Sequence, residues 1–258
     1  MTSAAFQQAG EGALVRVRQY RLTLHDGLYF ATREIGLLFE TERYIHNYAL
    51  SYALFNDSLI RLPFYTPTQR PTYAKDLALL NQAGVYVTPA RPVDGLVDYQ
   101  LVTYKIAQVT YHQRAERFGA PNYPRNIGRV KELAPGSVFD FFVLGEGSDL
   151  PLPRWIRLGK WMSKAEVEVR ADARLPIHAG EYTCRHPLNP LDLGPNRLGV
   201  FNIISMPPVS LVESARLTGQ YLRVDTGRGA TDLPMGMSYT FPPEAAQPPR
   251  RAQKRGSS

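Results

Sequence analysis

Cysteine is almost absent: Cys184 stands alone in a chain of 258 residues. That excludes a disulfide framework and a zinc site built from several cysteines. It fits a reducing cytoplasm, with Cys184 read as a small buried filler rather than a reactive thiol. Long apolar runs are missing too, so no transmembrane helix is expected. Met1–Gly12 lacks both a basic n-region and an apolar h-region, so it does not read as a secretory signal. The phosphate-binding Gly-x-x-x-x-Gly-Lys-Ser/Thr loop, the zinc-binding His-Glu-x-x-His pair and the Gly-x-Ser-x-Gly elbow are absent. The five histidines, His25, His46, His112, His178 and His186, show no metal-ligand spacing. Four of them read as turn or surface residues, and His46 as a structural histidine on a helix. No cofactor and no metal are expected.

What the chain has is positive charge and tyrosine. The net charge is +7, which suggests an anionic partner. Arg250, Arg251, Lys254 and Arg255 supply four of those charges and leave +3 for the rest. A nucleic-acid site must therefore come from local clustering. Fifteen tyrosines suit stacking on bases, and suit sheets and protein interfaces equally.

Residues 1–13 read as a flexible leader, 14–241 as one domain, and 242–258 as a disordered basic tail. Val15-Arg16-Val17-Arg18 and Tyr20-Arg21-Leu22-Thr23-Leu24 alternate in opposite phase, which predicts a bulge near Gln19 in one long strand. Ile45, Tyr48, Ala49, Tyr52 and Ala53 predict a helix over 42–55 with Thr41 as N-cap. Further strands are expected over 85–88, 96–111, 137–144, 165–170, 198–206, 221–224 and 238–241, a short helix over 76–83, and a loop over 118–131. Strands dominate around one firm helix, so the fold class is α+β, with a ferredoxin-like sheet as the arrangement that fits.

Three stretches gather cations, aromatics and glycine. In Tyr29–Gly36, Arg33 suits a bidentate phosphate clamp, or a surface pair with Glu34 or Glu40. In Tyr123–Lys131, Tyr123, Arg125, Arg129 and Lys131 make a basic loop able to track a backbone and stack a base, or a solvated turn. Arg154–Lys164 holds the only two tryptophans, with Lys160, Trp161 and Lys164 around Gly159. It suits a grip on phosphate and base, or a hairpin whose tryptophans belong to the core.

These stretches also carry a resemblance. Leu24–Gly36, Tyr44–Ala53, Tyr86–Ala90, Leu158–Ala165 and Ser238–Phe241 resemble, in order, the type I-D CRISPR-associated protein of the Cas-five group, the Csc family. The resemblance covers about residues 14–241. It implies a ferredoxin-like, RNA-recognition-type domain with an inserted hairpin and a smaller C-terminal sheet. It also implies a non-catalytic, RNA-binding subunit of a Cascade ribonucleoprotein complex in antiviral defense. Such a subunit caps the 5′ handle of the crRNA, contacts the large Cas-ten-like subunit and the first Cas-seven-like backbone subunit, and lies near the adjacent motif of target DNA. No membrane partner is implied.

Residue chemistry alone leaves two other readings open. Metal-independent cleavage of repeat RNA needs only a base, an acid and a cation beside a 2′-hydroxyl, which Tyr111-His112 or a Lys/Tyr pair can supply. In a pure protein–protein adaptor, the aromatics face other subunits.

Overall fold

The computed structural model describes residues 14–36, 38–56, 60–62, 72–105, 127–227 and 229–241. The leader 1–13, the tail 242–258, and Tyr111, His112, Tyr123 and Arg125 lie outside the described residues. The chain is α+β and mostly sheet. In order come β1 (Leu14–Leu24), β2 (Arg33–Ile35), β3 (Leu38–Glu40), α1 (Asn47–Phe55), α2 (Tyr73–Asp76), α3 (Ala78–Gln82), β4 (Tyr86–Val87), β5 (Arg91–Pro92), β6 (Tyr99–Lys105), β7 (Ile127–Leu133) and β8 (Val138–Leu144). A 3-10 turn at Glu146–Asp149 leads to β9 (Trp155–Leu158), β10 (Ser163–Cys184), β11 (Arg197–Leu198), β12 (Asn202–Ile204), β13 (Leu211–Glu213), β14 (Ala215–Asp225) and β15 (Ala230–Pro234).

The main sheet runs β11-β14-β10-β1-β8-β4. Within it β10-β1-β8-β4 come fourth, first, third and second in chain order, with α1 between the first two. A smaller sheet, β2-β3-β7-β6, holds the inserted hairpin β6–β7. The far half of β10 pairs with β14, so β11, β14 and β15 extend the main sheet through a shared strand, while β12 and β13 form a separate two-stranded sheet.

The bulge predicted near Gln19 in one long strand is present, but its extra residue is on β10, so it is not what changes the phase within β1 itself. β1 pairs with β8 without a register shift from Val17 to Thr23, so its own pleat is unbroken. The shift occurs only against β10, between Gln19 and Tyr20, and the extra residue is Arg170 on β10. What changes is the covered face. Val15, Val17 and Gln19 are buried on one side, Tyr20, Leu22 and Leu24 on the other. Tyr20 stacks on Phe141 at 5.3 Å, whereas Val15 and Leu144 line a cavity with Leu222 and Met235. One strand thus serves two sides of the core.

Other expectations need correction. The helix starts at Asn47, and its N-cap is His46, whose Nδ1 accepts from Tyr48 N at 3.1 Å. Thr41 instead bonds the backbone of Phe30 in both directions, at 3.0 Å each. Residues before the cap are extended because Ile45 bridges to Ala90. Leu50 and Leu54 are as buried as Tyr48 and Ala53, so α1 is enclosed nearly all round rather than amphipathic. The loop expected over 118–131 gives way to a strand from Ile127, because Tyr99–Lys105 pairs antiparallel with Ile127–Leu133. The strand over 165–170 is the start of a strand 22 residues long. The strand over 198–206 is broken into β11 and β12, and 238–241 joins no strand. There Tyr239 is held by side chains: its hydroxyl lies 2.6 Å from Ser51 Oγ and accepts from Val87 N at 3.1 Å.

Candidate nucleic-acid interface

The β9–β10 hairpin is built around Gly159, whose φ is +71°. A Cβ there would lie 2.7 Å from Tyr29 O and 2.7 Å from Leu28 Cδ1, so a side chain does not fit. Lys160 N donates to Tyr29 O at 2.9 Å, which docks the turn against the Tyr29–Phe30 segment. Trp161 is left 46% exposed, leaning on Tyr29 with ring centroids 5.0 Å apart. Trp155 is 42% exposed. Neither tryptophan belongs to the core.

Pairing then sorts the neighbours by face. Ile156 and Leu158 turn inward opposite Ala165 and Ser163, while Trp155, Arg157, Lys164 and Glu166 share the outer face. Lys164 Nζ lies 4.0 Å from the Trp155 ring centroid, a cation–π contact. His25 meets the same ring edge-on at 4.9 Å, and its Nε2 lies 3.5 Å from Glu166 Oε2. Arg154 binds Glu166 at 2.7 Å, and this hydrogen bond holds the Glu166 carboxyl below its usual range. Arg157 approaches Asp26 at 3.6 Å. Lys160 and Lys164 have no carboxylate partner among the described residues. The hairpin thus carries two exposed indoles and two ammonium groups that have aromatic but no carboxylate partners among the described residues, groups of the kind that can meet bases and phosphates.

The second cluster lies on the smaller sheet. Arg33 opposes Glu40 across β2–β3, and Glu40 opposes Lys131 across β3–β7. Glu40 lies 3.4 Å from Arg33 and 3.5 Å from Lys131, and Glu42 lies 3.5 Å from Arg33. Arg33 therefore pairs with Glu40 and Glu42, not with Glu34. Lys131 Nζ also sits 4.4 Å from the Tyr99 ring centroid. Arg129, two residues along β7, is exposed on the same face with no carboxylate partner among the described residues. Sequence reading placed Arg129 and Lys131 on a flexible loop; register with β3 and β6 fixes them on a strand. Leu28 bridges to Leu133, so the segment carrying Tyr29 joins this sheet to the β9–β10 turn.

A family model described as type I-D CRISPR-associated protein Cas5/Csc1 matches residues 15–242. The chain belongs to this family. Membership assigns the protein to a CRISPR effector complex. No curated protein matches the sequence. Among the described residues no helix is long and apolar enough to cross a membrane. For a Cas5/Csc1 chain the exposed aromatic and cationic groups are the natural candidates for contacts within that complex.

Trp155 and Tyr29 join the candidates only through the structure, by their contacts with Lys164 and Trp161. Trp155 stood in the right stretch, but only strand pairing shows it outward beside Lys164. Among the described histidines, His186 differs from expectation, whereas His46 is the structural histidine expected. His186 is buried, with Nε2 2.9 Å from Thr88 Oγ1 and 2.8 Å from Pro89 O, and burial pushes its pKa down to about 3. His46 is lowered to about 4 by burial. Its Nδ1 accepts from Tyr48 N, so Nε2 carries the proton and donates to Val209 O at 3.1 Å. Cys184 is fully buried, and burial pushes its thiol up to about 12, as a filler would be.

Proposed function

We propose that this protein is the non-catalytic subunit that caps the 5′ handle of the crRNA in a type I-D surveillance complex, alongside a large Cas-ten-like subunit and the first Cas-seven-like backbone subunit. The observation that carries this reading is the Gly159–Met162 turn. It leaves Trp161 exposed against Tyr29 and Lys160 without a carboxylate partner among the described residues, on the hairpin whose outer face carries Trp155 and Lys164, in a chain of the Cas5/Csc1 family. Single-stranded RNA is gripped by such pairs, with splayed bases on aromatic faces and phosphates at ammonium groups. Arg129, Lys131 and Arg33 extend the cationic surface across the second sheet. The strand order β10-β1-β8-β4 with α1 in the first crossover supports a ferredoxin-like core, with a 3-10 turn in place of the second helix.

The test is to tag the protein in its host, purify it gently and sequence the bound RNA. Short RNAs sharing one repeat-derived 5′ end, together with a large and a backbone subunit, are expected. RNA of random ends overturns the reading.

A competing reading, a metal-independent ribonuclease, has one observation in its favour: His25 is exposed, held by Glu166 and next to Lys164 and Trp155. Purified protein that cuts repeat RNA at one position in EDTA, and stops cutting as His25→Ala, would establish it.

A further inference from the structure

A second cleft, of about 300 Å³, opens where the main sheet meets the C-terminal loops. Gln19, Arg91, Phe142, Arg185, His186 and Gly229 are among its walls, and no residue of the Gly159–Met162 turn is. Its volume is at the small end of ligand sites, roughly 300–1,000 Å³.

Three features define its chemistry. Gln19 is only 5% exposed, yet its carboxamide has no hydrogen-bond partner among the described residues. At a cleft wall, a carboxamide with no internal partner is open to a ligand that offers it a donor and an acceptor. Among the described residues the charges at the cleft then cancel except for one. Arg21 holds Asp140 at 3.0 Å and 3.3 Å, and Arg91 lies 3.8 Å from Asp94. Arg185 is exposed and has no carboxylate partner among the described residues. His186 is neutral and committed to Thr88 and Pro89. Finally, the cleft lies on the face already described. Gln19 opposes Phe142, and Arg21 opposes Asp140 and Glu168. Two-residue steps along β10 from Glu168 lead to Glu166 and Lys164, and Lys164 opposes Arg157. A strand crossing Trp155 and Lys164 has a continuous sheet face leading here.

We infer that this cleft takes one nucleotide unit of the bound strand, with Arg185 at its phosphodiester and the Gln19 carboxamide at its base edge. The inference rests on the RNA-binding reading above and adds a place and a chemistry to it. The exposed Arg185 guanidinium, without a carboxylate partner among the described residues, suits a phosphodiester oxygen pair. A carboxamide offers a donor and an acceptor together, which is what base edges present.

The test titrates the full chain with each of the four ribonucleoside 5′-monophosphates and with inorganic phosphate, following backbone amide shifts. Expected are saturable shifts at Arg185, Gly229 and Ala230 for a mononucleotide, and weaker ones for phosphate. Arg185→Ala should weaken nucleotide binding about tenfold, and Gln19→Leu should change the order of preference among the bases. Arg185 is exposed, so its variant serves even if the buried Gln19→Leu does not fold. Absence of shifts at these amides overturns the inference, as does phosphate binding as tightly as any nucleotide, or binding that Arg185→Ala leaves unchanged. Guide-RNA affinity is measured in parallel with Lys160→Ala. Guide RNA that binds through Lys160 while no mononucleotide enters the cleft overturns this inference alone. A mononucleotide that enters the cleft of a protein with no affinity for guide RNA overturns the capping role alone.

Discussion

Two side chains and one missing side chain carry the proposed RNA grip. Lys160 has no carboxylate partner among the described residues, so Lys160→Ala should leave the fold intact and, if the proposed grip is right, remove one phosphate contact. Guide-RNA affinity should fall, and the salt slope should drop by roughly one unit in a titration across ionic strengths. Trp161 is nearly half exposed. Trp161→Ala should cost about 1–3 kcal/mol of RNA binding and leave the melting temperature almost unchanged. Gly159→Ala is the opposite case. Its Cβ meets the Tyr29 carbonyl and Leu28 at a positive φ, so the turn must shift and thermal stability should fall along with RNA affinity.

At the scale of elements, the small sheet shows how pairing sets the charge on offer. Glu40 lies between Arg33 and Lys131 because parallel pairing of β3 with β7 and antiparallel pairing with β2 bring both cations to it. Glu40→Gln releases both from a shared carboxylate. RNA affinity should rise and its salt dependence steepen if this sheet faces the strand, as fluorescence anisotropy would show; unchanged binding would remove Arg33 and Lys131 from the interface. The 238–241 segment makes a different point. It joins no strand, and Tyr239 holds it through Ser51 and Val87. Tyr239→Phe leaves the Val87 N–H without its acceptor inside the protein, and should cost about 1–3 kcal/mol in denaturant unfolding.

For the whole molecule, buried titratable groups set the response to acid. His46 and His186 fold with pKa values of about 4 and about 3 against an ordinary 6.5. Their depressed values mean stability that is present above pH 6.5 and lost as pH falls towards 4. Asp192 acts in the other direction. It is buried among Asn47 Nδ2 at 2.9 Å, Tyr86 OH at 3.0 Å and Thr240 N at 2.8 Å, and burial raises its pKa from 3.8 to about 7. Its contribution is greatest below 3.8 and is lost as pH rises towards 7. Two histidines outweigh one aspartate, so thermal melts between pH 7 and 4.5 should show stability falling with acid. His186→Gln should flatten that slope even where it lowers the melting temperature at every pH.

The strand-dominated α+β class was legible in the sequence, because period-two alternation and β-branched and aromatic runs are local properties. So were the three cationic stretches and the family resemblance carried by motifs such as Leu158–Ala165. The site was half legible. Lys160, Trp161 and Lys164 stood out as candidates because cations and tryptophans crowd one short segment. Trp155 beside Lys164, Glu40 between two cations, and Gln19 at the wall of a cleft were not, since each depends on which strands pair and in what register. The altered phase in β1 marks the boundary most sharply. Its residues announced that the buried side changes at Gln19, but a bulge and an exchange of covered faces leave the same pattern in one strand. Only the partners, an unbroken ladder with β8 and a shifted one with β10, decided between them, because burial is a property of what packs on a strand and not of the strand itself.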